Sequence, residues 1–109
     1  MTTTYNQDML QDAYMLLDAD DVSAPVAMNG VSELAIQCDI TDLDASLAGE
    51  MSVQESNNKV TWADTGTPVA VTGDDLLMFE YSGAASYVRI KWNQTAGKGG
   101  VTFRYTKKS

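Results

Sequence analysis

From Leu34 to Ile40 the chain alternates without a break. Leu34, Ile36, Cys38 and Ile40 take one parity, and Ala35, Gln37 and Asp39 take the other. A period of two marks a strand with one buried face. The same reading holds for Leu47, Gly49, Met51 and Val53 against Ala48, Glu50, Ser52 and Gln54. It holds again for Ser86, Val88, Ile90 and Trp92 against Tyr87, Arg89, Lys91 and Asn93, and for Val101, Phe103 and Tyr105 against Thr102, Arg104 and Thr106. Three shorter runs, Ala13 to Leu17, "TPVAVTG" and "LLMFEYSG", complete the set. Turn residues separate them: Asn29-Gly30, "SNNK", Gly73-Asp74-Asp75, Ser82-Gly83 and Gly97-Lys98-Gly99-Gly100. The stretch from Ser86 to Tyr105 reads as strand, glycine turn, strand, and predicts a closing hairpin.

About seven short strands spaced roughly 8–12 residues apart predict an all-β domain, an antiparallel two-sheet β-sandwich of immunoglobulin-like or jelly-roll-like type. For Ala13 to Leu17 a helix competes, because Met and Leu are good helix formers. Residues 1–9 are polar and aperiodic, a short N-terminal arm that is disordered or docked on a partner, and residues 10–109 form the single sandwich domain. Parity puts Cys38 and Trp92 in the core and leaves Tyr87, Arg89 and Lys91 on the outer face of their strand. Those three, with Thr3, Thr4 and Tyr5 of the arm, are the candidate partner-binding residues.

Charge sharpens this picture. The net charge is −8, which argues against nucleic acid and anionic membrane as partners. Residues 1–55 hold eleven acids and no base, while residues 56–109 hold four acids and all seven bases. An acidic pole and a mildly basic one are expected, and opposite poles on identical subunits favour head-to-tail contact between copies, although the acids serving simply to solvate one half is the simpler reading. The start of the chain has no basic head or apolar stretch, so no signal peptide or membrane span is expected, and synthesis in a cytoplasm follows.

Chemistry is sparse. The chain has no histidine, which removes the serine–histidine and cysteine–histidine arrangements, and a lone cysteine makes no zinc site. "TAGKGG" lacks phosphate-loop spacing and precedes a strand. Asp18, Asp20 and Asp21 form one acidic knot and Asp39, Asp42 and Asp44 another. Either offers oxygens to calcium, but neither has the EF-hand spacing, and solvated loop acids are the simpler reading. The expectation is therefore no enzyme, no cofactor and no metal. A hydrolase built on the acidic clusters would need a cleft with two facing carboxylates. A carbohydrate-binding module would need an exposed aromatic row drawn from Trp62, Tyr81, Tyr87, Trp92 and Tyr105.

Two segments carry a resemblance. "MSVQESNNKVTWADTGTPVAVTG" (Met51 to Gly73) has a "V-Q-x-S" strand, a turn, a tryptophan and a short "T-P" strand. "YVRIKWNQTAGKGGVTFRYTKKS" (Tyr87 to Ser109) has a "Y-V-R-hydrophobic" strand, a Gly-rich turn and a closing strand. Together they cover about half the chain, and Asn57-Asn58 stands where the pattern usually has Asp-Gly. The chain thereby resembles small β-sandwich structural proteins of tailed bacteriophages. The resemblance implies a virion protein, foremost a capsid decoration protein that binds the major capsid protein lattice. A place in the tail, neck or a fibre is the alternative. It also implies a homo-oligomer, first of all a trimer, made in the host bacterial cytoplasm. Trp62 is expected to plug the edge of the sandwich.

Overall fold

The computed structural model describes residues 13–108 together with the backbone of Tyr5 and Asn6. Seven strands overlap the runs read from the sequence: β2 (Ala13–Leu17), β5 (Glu33–Asp42), β6 (Ala48–Ser56), β7 (Ala63–Thr72), β8 (Asp75–Ser82), β9 (Tyr87–Ala96) and β10 (Gly99–Lys108), with β7 starting ahead of its expected "TPVAVTG" run. Three two-residue segments join them: β1 (Tyr5–Asn6), β3 (Asp21–Val22) and β4 (Val26–Ala27). The described residues contain no helix. Ala13–Leu17 is a strand because its burial follows period two, with Met15 and Leu17 inside and Tyr14 and Leu16 outside. β10 runs on through Lys107, which continues the inward parity and is buried at the end of the layer.

All pairings are antiparallel. One sheet orders β10, β5 and β8 side by side, with β1 and β2 both on the outer side of β10. The other orders β9, β6 and β7, with β3 and β4 on the outer side of β9. With β3 and β4 taken as one interrupted strand, the chain from β2 onward changes sheet at every connection except the β6–β7 hairpin. That connectivity is a jelly roll, which decides between the two sandwich types the alternation left open.

One expectation is overturned by this topology. β9 and β10 do not form a hairpin; β9 lies in one sheet and β10 in the other. The glycine turn between them is a crossing between layers. Gly97 has φ +75°, and a Cβ there would strike the backbone of Ser46 and Leu47. The Leu43 N–H donates to the Lys98 carbonyl at 2.9 Å, tying this crossing to the β5–β6 loop.

The core lies between the sheets. Leu34, Ile36, Cys38, Ile40, Val101 and Phe103 face Met51, Val71, Val88, Ile90 and Trp92. Trp92 is fully buried, and its indole lies against Gly49, where a Cβ would collide with the ring. The β6–β9 register shifts between Ala48 and Gly49, so the strand bends at the residue that admits the indole. The Trp92 N–H donates to the Gln94 side-chain carbonyl, and the Gln94 amide donates to the carbonyls of Ala96 (2.8 Å) and Gly97 (2.7 Å). The largest core side chain thus has its one polar atom satisfied.

The β3–β4 edge is interrupted at Ser23–Pro25. Ser23 repairs the ladder: its N–H donates to the Ile90 carbonyl at 2.9 Å, and its hydroxyl oxygen accepts the Ile90 N–H at 2.8 Å. Ser23→Ala leaves the buried Ile90 N–H without a partner. Urea unfolding is expected to show a loss of about 1–3 kcal/mol. The reverse change at the exposed neighbour, Ala24→Ser, is expected to stay within about 0.5 kcal/mol.

Candidate interaction surfaces

The outer face of the β9–β6–β7 sheet holds the three candidates Tyr87, Arg89 and Lys91. All three are half-buried on the face opposite the core, as parity predicts. Arg89 and Asp64 stand directly across from Gln54 on either side. The Arg89 Nε–H donates to Gln54 Oε1 at 2.8 Å, and Gln54 Nε2–H donates to Asp64 Oδ1 at 2.9 Å. The Arg89 guanidinium lies 4.0 Å from the centre of the Trp62 ring, a cation–π contact. Burial holds the Arg89 pKa below the ordinary guanidinium value. Trp62 therefore does not plug the sandwich edge. It covers the outside of the sheet, because the turn that precedes β7 folds it onto Arg89. On this face Ser52, Gln54 and Ser56 are buried although their parity is outward. Lys59 Nζ sits 4.9 Å above the Tyr87 ring. Two candidates are thus tied into an intramolecular network. Thr3 and Thr4 lie outside the described residues, and of Tyr5 the backbone pairs with Lys108.

The β6–β7 turn is held stiff by side chains. Ser56 Oγ accepts the N–H groups of Asn58 (3.2 Å) and Lys59 (3.0 Å), and Asn58 Oδ1 accepts those of Val60 and Thr61, both at 2.9 Å. At its tip Val60 is 82% exposed.

The jelly-roll connectivity brings the loops β2–β3, β5–β6, β7–β8 and β9–β10 to one end. Asp18, Asp20, Asp42, Asp44 and Asp74 meet there, with Asp21 and Asp75 at the adjoining strand starts and Lys98 as the base among them. The opposite end carries Lys59, Lys107 and Lys108 beside Glu33, Glu55 and Asp64. The poles are therefore acidic and mixed, not acidic and basic. The acids build turns: Asp74 accepts the Asp42 N–H (2.7 Å), Asp42 accepts the Asp44 N–H (3.1 Å), Asp44 accepts the Ser46 N–H and hydroxyl (3.1 and 2.9 Å), and Asp20 accepts the Gln94 N–H (2.7 Å). Among the described residues no three of these side chains converge closely enough to hold a metal ion.

The outer face of the other sheet is polar in its middle and apolar at its sides. Tyr14 and Leu16 of β2 stand at one margin, and Leu76 (63% exposed) and Met78 (59%) of β8 at the other. A shallow depression of about 240 Å³ on this face brings Glu33 and Glu80 near Lys108, whose Nζ is 3.5 Å from a Glu33 carboxylate oxygen. A wider one of about 520 Å³ lies between turns 28–32 and 83–87, lined largely by small residues and backbone. Leu76 and Met78 were not singled out by the alternation. The signal was present as "LLMF", an apolar run occupying both faces of one strand.

No family model matches the chain, and no curated protein matches it. Among solved structures it is similar to the crystal structure of the SPBc2 prophage-derived protein YomS, with a TM-score of 0.56 and 10% identity over 90% of this chain and 93% of that one. At that identity the likeness is one of fold, and it runs nearly end to end in both chains.

Two titrations follow from these environments. Burial pushes the Cys38 thiol up to about 12. A thiol-specific reagent at pH 8 is expected to label it slowly in the native protein and rapidly in denaturant, because the thiolate is the nucleophile. Hydrogen bonds, the Ser46 hydroxyl first, hold the Asp44 carboxyl below its ordinary value. A depressed carboxylate contributes stability above its unfolded pKa and loses it as pH falls through the folded pKa. Ser46→Ala is expected to move the Asp44 NMR titration midpoint upward, and its destabilising effect is expected to shrink in acid.

Proposed function

We propose that this chain is a non-enzymatic structural protein of a bacteriophage virion, and within that class a capsid decoration protein that binds the major capsid protein lattice. The observation that carries the reading is the nearly end-to-end fold likeness to a prophage-derived protein, found for a chain whose sequence resembles phage structural modules at Met51–Gly73 and Tyr87–Ser109. Fold alone does not assign a role, since jelly rolls serve capsids and lectins alike. The surfaces favour binding between proteins. The stiffened turn that presents Val60, the apolar margin at Leu76 and Met78, and the acidic pole are features that docking uses. Many copies on a symmetric shell would multiply a modest single contact. A place in the tail, neck or a fibre serves the same chemistry at a different copy number.

The glycan-binding alternative fits these surfaces less well. Tyr81, Trp92 and Tyr105 are buried, and the rings of Trp62 and Tyr87 each carry a cation on one face. In place of an exposed aromatic row, the sheet presents a packed network.

Mass spectrometry of purified particles of the encoding phage is expected to find the chain at a copy number comparable with the major capsid protein. Purified chain added to shells lacking it is expected to co-sediment with them. Absence from particles would overturn the virion reading, and a copy number far below that of the capsid protein would move the chain to the tail or neck.

A further inference from the structure

The four sheet margins differ in how they end. On the β7 margin the ladder to β6 breaks between Met51 and Val53, opposite Gly66 (φ +78°) and Pro68. A bulge and a proline are devices that blunt an edge. The β3–β4 margin is interrupted at Ser23–Pro25. On the outer side of β10 lie two separate segments, β1 and β2. β8 is different: among the described residues it runs unbroken from Asp75 to Ser82 and pairs on one side alone, with β5. It has no proline, glycine or bulge. Its outward parity exposes Leu76 and Met78, and its inward residues Leu77 and Phe79 are packed on the core but remain half-buried. A strand of this kind is a template for pairing with another chain.

We propose that β8 pairs antiparallel with β8 of a second copy of this chain, across a twofold axis at Met78, so that the two five-stranded sheets become one continuous sheet. Three observations select this occupant. First, β8 offers the one long uninterrupted free edge in the described fold, so edge-to-edge self-pairing has to use the same strand on both copies. That makes the contact isologous and closed at two. Second, the register is self-complementary. With Met78 opposite Met78, Leu77 faces the partner copy's Phe79 on the core side and completes the cover that both residues lack. Leu76 faces Glu80 and Asp75 faces Tyr81, so no two acids stand opposite each other. Third, charge favours the antiparallel sense. It sets the acidic pole at Asp42, Asp74 and Asp75 of each copy toward the other's mixed end, where Lys108 stands with Glu33 and Glu80, whereas a parallel pair would join two acidic poles. The contact stands whether or not the chain is a virion protein, and it names a dimer where the resemblance implies a trimer.

Sedimentation equilibrium of the full chain tests this. The wild type is expected to dimerise with rising concentration. Met78→Lys places two like charges face to face on the axis at a position that is exposed in the single copy. It is expected to weaken the dimer by about tenfold or more with an unchanged melting temperature and circular dichroism spectrum. Val60→Lys, on the distant loop tip, is expected to leave association unaltered. Met78→Cys is expected to form an intermolecular disulfide under mild oxidation, and Val60→Cys is not. A chain that remains monomeric at the highest soluble concentration, assembles as a trimer, or dimerises equally well as Met78→Lys overturns the proposal. Virion mass spectrometry decides the functional reading separately, so failure of one leaves the other standing.

Discussion

The sandwich depends on one accommodation, the seating of Trp92 against a strand that has no side chain at Gly49. A fully buried indole needs more room than the alternating aliphatic residues leave between two sheets. The space comes from the glycine and from the register shift beside it. Around this point the rest of the acidic end is organised. Gln94 takes the indole N–H and gives its own hydrogens to the carbonyls of Ala96 and Gly97, which sets the chain on its path across to β10. An interior of this density tolerates little change in volume, so the crossing, the β5–β6 loop and the indole are a single packing problem.

A second consequence of the two-layer plan is that the outer faces are free to take different roles. The β9–β6–β7 face is closed by its own side chains. Trp62, Arg89, Gln54 and Asp64 are linked in one row across three strands, with buried serines on the same face. Such a row ties β7, an edge strand broken by a bulge, to the middle of its sheet. The opposite face is left open at β8. One sheet thus ends in a guarded edge and the other in an unguarded one, and this asymmetry makes the β8 margin the place where a second sheet would add at least cost in strain.

The acidic pole shows how topology rewrites composition. Along the chain the acids crowd the first half. In space they gather at one end, because alternate connections of a jelly roll return to the same end and are turned by aspartates whose carboxylates accept backbone N–H groups. Asp74 and Asp75, from the second half, join Asp18, Asp20, Asp42 and Asp44 there. Apart from Lys98, the bases distribute themselves over the other end and the sheet faces, where Glu33, Glu55 and Asp64 offset them.

Which residues point inward was readable from the chain itself. Period two placed Leu34, Ile36, Cys38, Ile40, Val88, Ile90, Trp92 and Phe103 in the core, and put Tyr87, Arg89 and Lys91 outside, because in a strand the face of a side chain follows from local backbone geometry alone. Which strand stands beside which was not readable. β9 and β10 carry every local mark of a hairpin and yet lie in opposite sheets. Pairing is decided by how the whole chain closes around one core, and parity is blind to it. For the same reason alternation marked Gln54 and Ser52 as outward without foreseeing that both would be buried in the folded protein. Nor could it tell that the apolar run at Leu76–Phe79 would end up on a margin, with one side of its backbone unpaired. Sequence determined the faces of each strand; only the tertiary structure decided the neighbours, the poles and the open edge, since those are contacts between residues far apart in the chain.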